Sequence, residues 1–167
     1  MTTMSPDPGR DVRALYEGTY ARLVSVVAVA AGNRGDAEEV VQEAFVRLLR
    51  HWPTVSRYDD PEAWVRQVAF RLLSNRTRKS RNGVRAVLRL GRSHDVEGPT
   101  ADGVDIAQAM KALPLAQRQV IVLHHLVGLD VADVAAALGI PVGTVKSRLS
   151  RGRSTLAPLL TEAQAHA

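Results

Sequence analysis

Residues 131–149, VADVAAALGIPVGTVKSRL, restrict the fold more than any other stretch of the chain. A run of alanine, valine and leucine at helical spacing stops at Gly139, and a second apolar stripe resumes after Pro141. Gly139 can take the left-handed backbone that a tight turn between two helices needs. Ala135 is small enough to let the helices approach closely. Val134, Leu138, Ile140, Val145 and Leu149 fall where they fill the angle between them. The expected unit is a helix-turn-helix.

With Val145 and Leu149 turned inward, the second helix presents Thr144, Lys146, Ser147, Arg148 and Arg151 to solvent. These are residue types that bind phosphates and base edges. Val142 and Gly143 open that helix, and backbone N–H groups at a helix start suit a phosphate. Residues 134–161 hold no acid, yet they carry Lys146, Arg148, Arg151 and Arg153. An ordinary hairpin with a solvated basic face has the same periodicity. The Ala–Gly–Val spacing combined with an acid-free outer helix favours DNA.

Charge is also uneven upstream. Nine basic residues and no acid lie in residues 66–92, whereas Asp36, Glu38, Glu39 and Glu43 cluster with no basic neighbour in residues 35–46. The formal charge of the 167-residue chain is +5, which suits an anionic partner. Apolar periodicity marks three helices before the basic run. The first covers residues 11–31, with Tyr16, Tyr20, Leu23, Val24, Val27 and Ala31 on one stripe. The second starts at Asp36, read as an N-cap with Glu39 three residues on, and stops at Pro53. The third follows Asp60-Pro61, an N-cap with proline at the first helical position, and turns Trp64, Val65, Val68, Ala69, Leu72 and Leu73 inward.

Glycines and Pro99 punctuate residues 83–104, read as a flexible linker with a short helical piece at 84–90. A second domain begins at residue 105. It has a short helix at 106–113, another opened by Pro114 and stopped at Gly128, a third capped by Asp130, and a last one over 142–156. The fold class is therefore all-α, two small helical domains joined by a linker, with no strand-like alternation anywhere.

Other functions fit poorly. Without cysteine there is no thiolate metal site or thiol nucleophile. His124 and His125 are adjacent, so on a helix they diverge by about 100° and cannot share a metal. No Gly-rich phosphate loop follows a strand. No enzyme activity, cofactor or metal is expected. The N-terminus lacks a signal peptide, and the longest apolar stretch, residues 26–31, is far short of the ~20 needed to span a bilayer. A soluble cytoplasmic, nucleoid-associated protein is expected, with no membrane insertion.

Residues 143–148 (GTVKSR), preceded by Leu113-Pro114 and Gly128-Leu129, resemble region 4 of bacterial RNA polymerase sigma factors, specifically the extracytoplasmic-function branch (sigma-70 group 4). Residues 36–45 (DAEEVVQEAF) resemble that family's region 2 signature. Ala63-Trp64-Val65 with Val68-Ala69 resembles its promoter-melting helix. The resemblance covers residues 11–82 and 105–156.

It implies region 2 over 11–82, a linker over 83–104 and region 4 over 105–160. Residues 142–151 would then read the minus-35 element through Val142, Gly143, Thr144, Lys146, Ser147, Arg148 and Arg151. Tyr58 in the loop before the third helix, with Trp64, Arg71, Asn75, Arg76 and Arg78, would hold the melted minus-10 element, although Trp64 on an apolar stripe also reads as core. Asp36, Glu38, Glu39, Gln42, Glu43 and Phe45 would dock on the clamp helices of the largest polymerase subunit. Region 4 would meet the flap of the second-largest subunit, and the family resemblance also implies an anti-sigma factor. Family members usually carry Asn where Arg71 stands and often Asp where Asn75 stands, so the minus-10 preference does not carry over. Gly152 replaces a common Ala and should loosen the last helix by roughly 0.5–1 kcal/mol. A conventional operator-binding regulator would use the same helix-turn-helix but leaves the acidic helix and the third helix without a role.

Overall fold

The computed structural model describes residues 8–82 and 101–165, and among these residues every regular element is helical. The elements are α1 (Pro8–Ala31), α2 (Arg34–Val55), α3 (Pro61–Asn82), α4 (Ala101–Lys111), α5 (Leu115–Ile121), a π-helical turn (Val122–Leu126), α6 (Val131–Leu138) and α7 (Val142–Ala165). Helices α1–α3 form one bundle and α4–α7 another. Most of the expected linker, with the helical piece at 84–90, lies outside the described residues. Residues 101–104, expected as its end, are instead the start of α4.

The front bundle closes on Val24, Val27, Val41, Leu48, Val65 and Phe70, all fully buried. Arg22 and the buried Thr19 of α1 both reach Glu62 of α3, the arginine at 2.6 Å, which fixes how the first and third helices cross. Asp60 caps α3 as its position before proline suggests, accepting from the Ala63 N–H at 3.0 Å.

Two expected boundaries move. The N-cap of α2 is Asn33, whose side chain accepts from the Asp36 N–H at 3.0 Å, so Asp36 sits in the first turn rather than capping it. Nor does Pro53 end α2. A proline so near the C-terminus removes only one of the final backbone bonds, and buried Val55 holds the last turn against the core.

In the rear bundle, α5 passes directly into the π-helical turn, where Val127 N–H bonds Val122 O at 3.0 Å. The sequence pattern shows only a continuing helix there. Gly128 then reverses the chain at φ 86°. His124 is half-buried with Nδ1 2.7 Å from Leu129 O, and His125 is exposed. Helix α7 continues through Pro158 to Ala165, nine residues past the expected end at 156, with Leu156 packed on the core and Leu159 and Leu160 half-buried.

Gly152 is buried, and a Cβ built there would lie 2.8 Å from Ile121 Cδ1. Its glycine is thus what lets α7 approach α5, not a source of looseness. The two bundles also pack against each other, α1 and α3 meeting α5 and α6, and their buried residues form one continuous apolar cluster.

Candidate nucleic-acid interface

The helix-turn-helix forms as its sequence dictates. Asp130 caps α6 by accepting from Asp133 N–H at 2.8 Å. Gly139 ends it at φ 66°, and Ile140 N–H returns to Ala135 O at 3.1 Å, closing the turn. Val134 and Val145 are completely buried, with Ala135 and Leu149 nearly so, and Leu138 and Ile140 flank them. This packing fixes the rotation of α7 and therefore its outer face.

On that face Lys146, Ser147 and Arg151 are exposed, Thr144 and Arg148 half-exposed, and Val142 and Gly143 exposed at the start. Lys146, Arg148 and Arg151 form no ion pair with any described residue. A phosphate can bind them without first breaking an internal contact.

The basic residues of α3 are placed differently. Arg78 and Asn75 are exposed, as is Tyr58 in the preceding loop. Arg76, however, pairs with Glu39 and lies 3.8 Å from Asp36. Arg71 donates to the carbonyls of Ala136 and Ala137 on α6, both at 3.1 Å. Trp64 is half-buried, packed on the front core with its ring 5.7 Å from that of His51. These residues lie on one helix, but two of the arginines are engaged within the chain.

The acidic cluster is also less bare than its sequence suggests. Glu38 pairs with Arg34 at 3.0 Å, Glu43 with Arg47 at 2.9 Å, and Glu39 with Arg76. Phe45, expected on the docking face, is 4% exposed. Tyr16, expected in the core stripe, instead lies at the surface, stacked on Tyr20 and edge-on to Phe45 at 5.0 Å. Partial burial, and then Tyr20, raise the Tyr16 pKa above the ordinary tyrosine value.

Beside these rings runs a shallow groove lined by Val12, Tyr16, Gln42, Phe45, Val46 and Leu49. Val46 and Leu49 are exposed large apolar side chains. Sequence reasoning missed both. Their signal was the spacing from Gln42, a second apolar edge beside the buried stripe of α2.

The Sigma-70 region 2 family matches residues 15–83, and the family described as Sigma-70, region 4 matches residues 104–156. The ECF RNA polymerase sigma factor SigK of Mycobacterium ulcerans is 30% identical over 154 residues, covering 84% of this chain and 81% of that protein. The chain belongs to the extracytoplasmic-function RNA polymerase sigma factors.

The probable RNA polymerase sigma-C factor of Mycobacterium bovis is 29% identical over 153 residues, 89% of this chain and 82% of that one. A crystal structure of the sigma factor RpoE from Bartonella quintana, in complex with the anti-sigma factor NepR, shares the fold. Its TM-score is 0.71 at 22% identity, covering 91% of this chain and 98% of that one. As a sigma factor the protein joins core RNA polymerase and directs initiation at promoters; the family is not one of enzymes. No helix of the described residues is long and apolar enough to cross a membrane.

Proposed function

We propose that the work of this sigma factor divides between its two bundles residue by residue. Region 2 spans 11–82 and region 4 spans 105–160, joined through 83–104. Val142, Gly143, Thr144, Lys146, Ser147, Arg148 and Arg151 read the duplex minus-35 element. The observation that carries this reading is the set of unpaired cations on the outer face of a helix whose rotation the packed turn fixes. Arg148 has the length and fork to bridge a guanine, a contact worth ~1–3 kcal/mol of discrimination.

Tyr58, Trp64, Arg71, Asn75, Arg76 and Arg78 line the surface for the melted minus-10 element. A base taken from the duplex loses its stacking, and aromatic and cationic groups offset that loss. Helix α2 docks on the clamp helices of the largest subunit. The apolar edge of Tyr16, Val46 and Leu49 with Gln42 and Phe45 provides the contact, and the Asp36, Glu38, Glu39 and Glu43 charges orient it. Region 4 meets the flap of the second-largest subunit. The protein works in the cytoplasm, and an anti-sigma factor is a further partner, a reading supported by the RpoE structure solved with the anti-sigma factor NepR.

In vitro transcription with purified core polymerase tests the assignment. Arg148→Ala should lower promoter-specific initiation by roughly 10- to 100-fold, the loss of one bidentate base contact, while leaving core binding intact. An Arg148→Ala protein that initiates as well as the parent would remove α7 from the minus-35 reading.

A further inference from the structure

Glu62, in the first turn of α3, has both carboxylate oxygens taken by α1. Arg22 Nη2 donates to Oε1 at 2.6 Å and Thr19 Oγ1 donates to Oε2 at 3.5 Å. Thr19 and Arg22 stand three residues apart, hence on one face of α1, and Thr19 is 3% exposed. A carboxylate held at both oxygens has its direction set as well as its position.

This pair differs from the other ionic contacts of the chain. Arg13 with Glu17, Arg34 with Glu38 and Arg47 with Glu43 each lie one turn apart on a single helix and join nothing else. Arg76 does join two helices, but it is itself a candidate DNA ligand. Arg71 and Arg118 reach distant helices through backbone carbonyls, Ala136 O and Ala137 O for one and Ala30 O for the other. Among the described residues, only Arg22 and Glu62 tie two helices by an ion pair that uses no candidate DNA or docking residue.

What the pair holds in place is the end of a short loop. Residues 56–60 link α2 to α3, and their backbone has little slack. Ser56 N–H returns to Trp52 O at 2.8 Å, Arg57 N–H to Thr54 O at 3.2 Å and Tyr58 N–H to Val55 O at 2.9 Å. Val55, 1% exposed, fixes the entering end in the core. The leaving end is the first turn of α3, capped by Asp60 and pinned to α1 through Glu62. Tyr58 is exposed between two fixed ends.

We propose that Thr19, Arg22 and Glu62 are positioning residues for the capture of the melted minus-10 strand, an anchor that sets where the 56–60 loop stands. The inference rests on the minus-10 reading above. Stacking an unpaired base on an aromatic ring depends on the ring's place, and a binding site has to be held within roughly 0.5 Å of its working geometry. A shift of the α3 start against α1 carries Asp60 and Tyr58 with it. The same shift leaves the helix-turn-helix and the apolar edge of α2 where they were.

Holoenzyme assembled from core RNA polymerase and each variant can be titrated with two fluorescent probes from a promoter it transcribes. One is the single strand across the minus-10 element, the other a duplex minus-35 fragment. Tyr58→Ala should weaken the single-strand complex by roughly 10- to 100-fold, the loss of one base stack. Arg22→Glu sets two acids face to face at an exposed position of α1. It should weaken the single-strand complex by roughly three- to tenfold and leave the distant duplex complex within about twofold of the parent. Exchanging the charges, Arg22→Glu with Glu62→Arg, should return most of the lost affinity.

Single-strand binding lowered by Tyr58→Ala but untouched by Arg22→Glu overturns the anchor and leaves the minus-10 reading standing. If Tyr58→Ala itself had no effect, the loop would drop out of that reading and the anchor would fall with it. An Arg22→Glu loss shared equally by both probes would mark general damage to the fold and overturn the anchor as well.

Discussion

The two bundles use their charges in opposite ways. On α2 of the front bundle the acids are satisfied internally: Glu43 holds Arg47, Glu38 holds Arg34, and Glu39 holds Arg76 of α3. What it leaves exposed beside them is apolar, Val46 and Leu49 next to Tyr16. The rear bundle buries its apolar surface in the helix-turn-helix and leaves Lys146, Arg148 and Arg151 without an acidic partner among the described residues. One surface suits another protein, the other a polyanion. The front contact should therefore be nearly indifferent to salt. The rear contact should weaken with salt in proportion to the phosphates it neutralises, with a slope near −0.9 for each.

The largest expected effect separates apolar from ionic docking in the front bundle. Leu49→Glu should weaken binding to core polymerase by about 10- to 100-fold, since burying a leucine is worth about 1.5–3 kcal/mol and each 1.4 kcal/mol is tenfold. Glu43→Lys removes only an exposed pair with Arg47, worth about 0–1 kcal/mol, so its cost should stay under about fivefold. A fluorescence competition assay against core enzyme measures both. If Glu43→Lys were the more damaging, the docking face would be electrostatic after all and the contrast between the bundles would fail.

A smaller effect compares how the bundles pack. Gly18 in α1 has open space around its missing Cβ, whereas a Cβ on Gly152 would meet Ile121 Cδ1 at 2.8 Å and Cγ1 at 3.2 Å. Gly18→Ala should stabilise the protein by up to about 1 kcal/mol, the helix preference of alanine over glycine. Gly152→Val should destabilise it by about 1–3 kcal/mol through overpacking. For a chain of this size that lowers the thermal midpoint by about 2–4 °C per kcal/mol. Equal responses at the two glycines would mean that α5 and α7 are not in close contact.

What could be read from sequence was local. Asp60, Asp130 and Gly139 act where they stand because a cap or a left-handed turn needs only its immediate neighbours. The apolar stripes of α2 and α3 were legible for the same reason, being a property of one helix at a time. The start of α2 was misplaced because Asn33 and Asp36 are both good caps, and only the backbone decides between them.

The roles of Arg71, Arg76 and Arg118 had no local signal. Their partners in distant helices lie 37 to 88 residues away, so the run of arginines on α3, which looks like one DNA-binding surface, is in fact divided among Glu39, the end of α6 and solvent. Tyr16 follows the helical period faithfully but sits at the bundle's edge, where periodicity cannot say how wide the buried face is. The unusual Arg71, by contrast, gains a reason: an arginine's length and fork let it reach two carbonyls at the end of α6.

The smallest effect expected concerns pH and again falls on the rear bundle. His125 is exposed on the π-helical turn, where its Nε2 accepts from Arg153 Nε at 3.2 Å. Partial burial lowers its pKa below the ordinary histidine value of about 6.5, and the nearby Arg153 and His124 push in the same direction. The unfolded chain therefore takes up this proton more readily than the folded one. The contribution to stability is complete above the unfolded value and is lost as pH falls through the lower folded value. Protonation also turns the acceptor that Arg153 uses into a second donor. His125→Gln keeps an acceptor there but does not titrate. The parent chain should therefore lose slightly more thermal stability between pH 7 and pH 5 than the His125→Gln protein. Parallel melting curves at the two pH values would show that the ring is neutral or charged without consequence, and that the charges of the rear bundle owe nothing to this histidine.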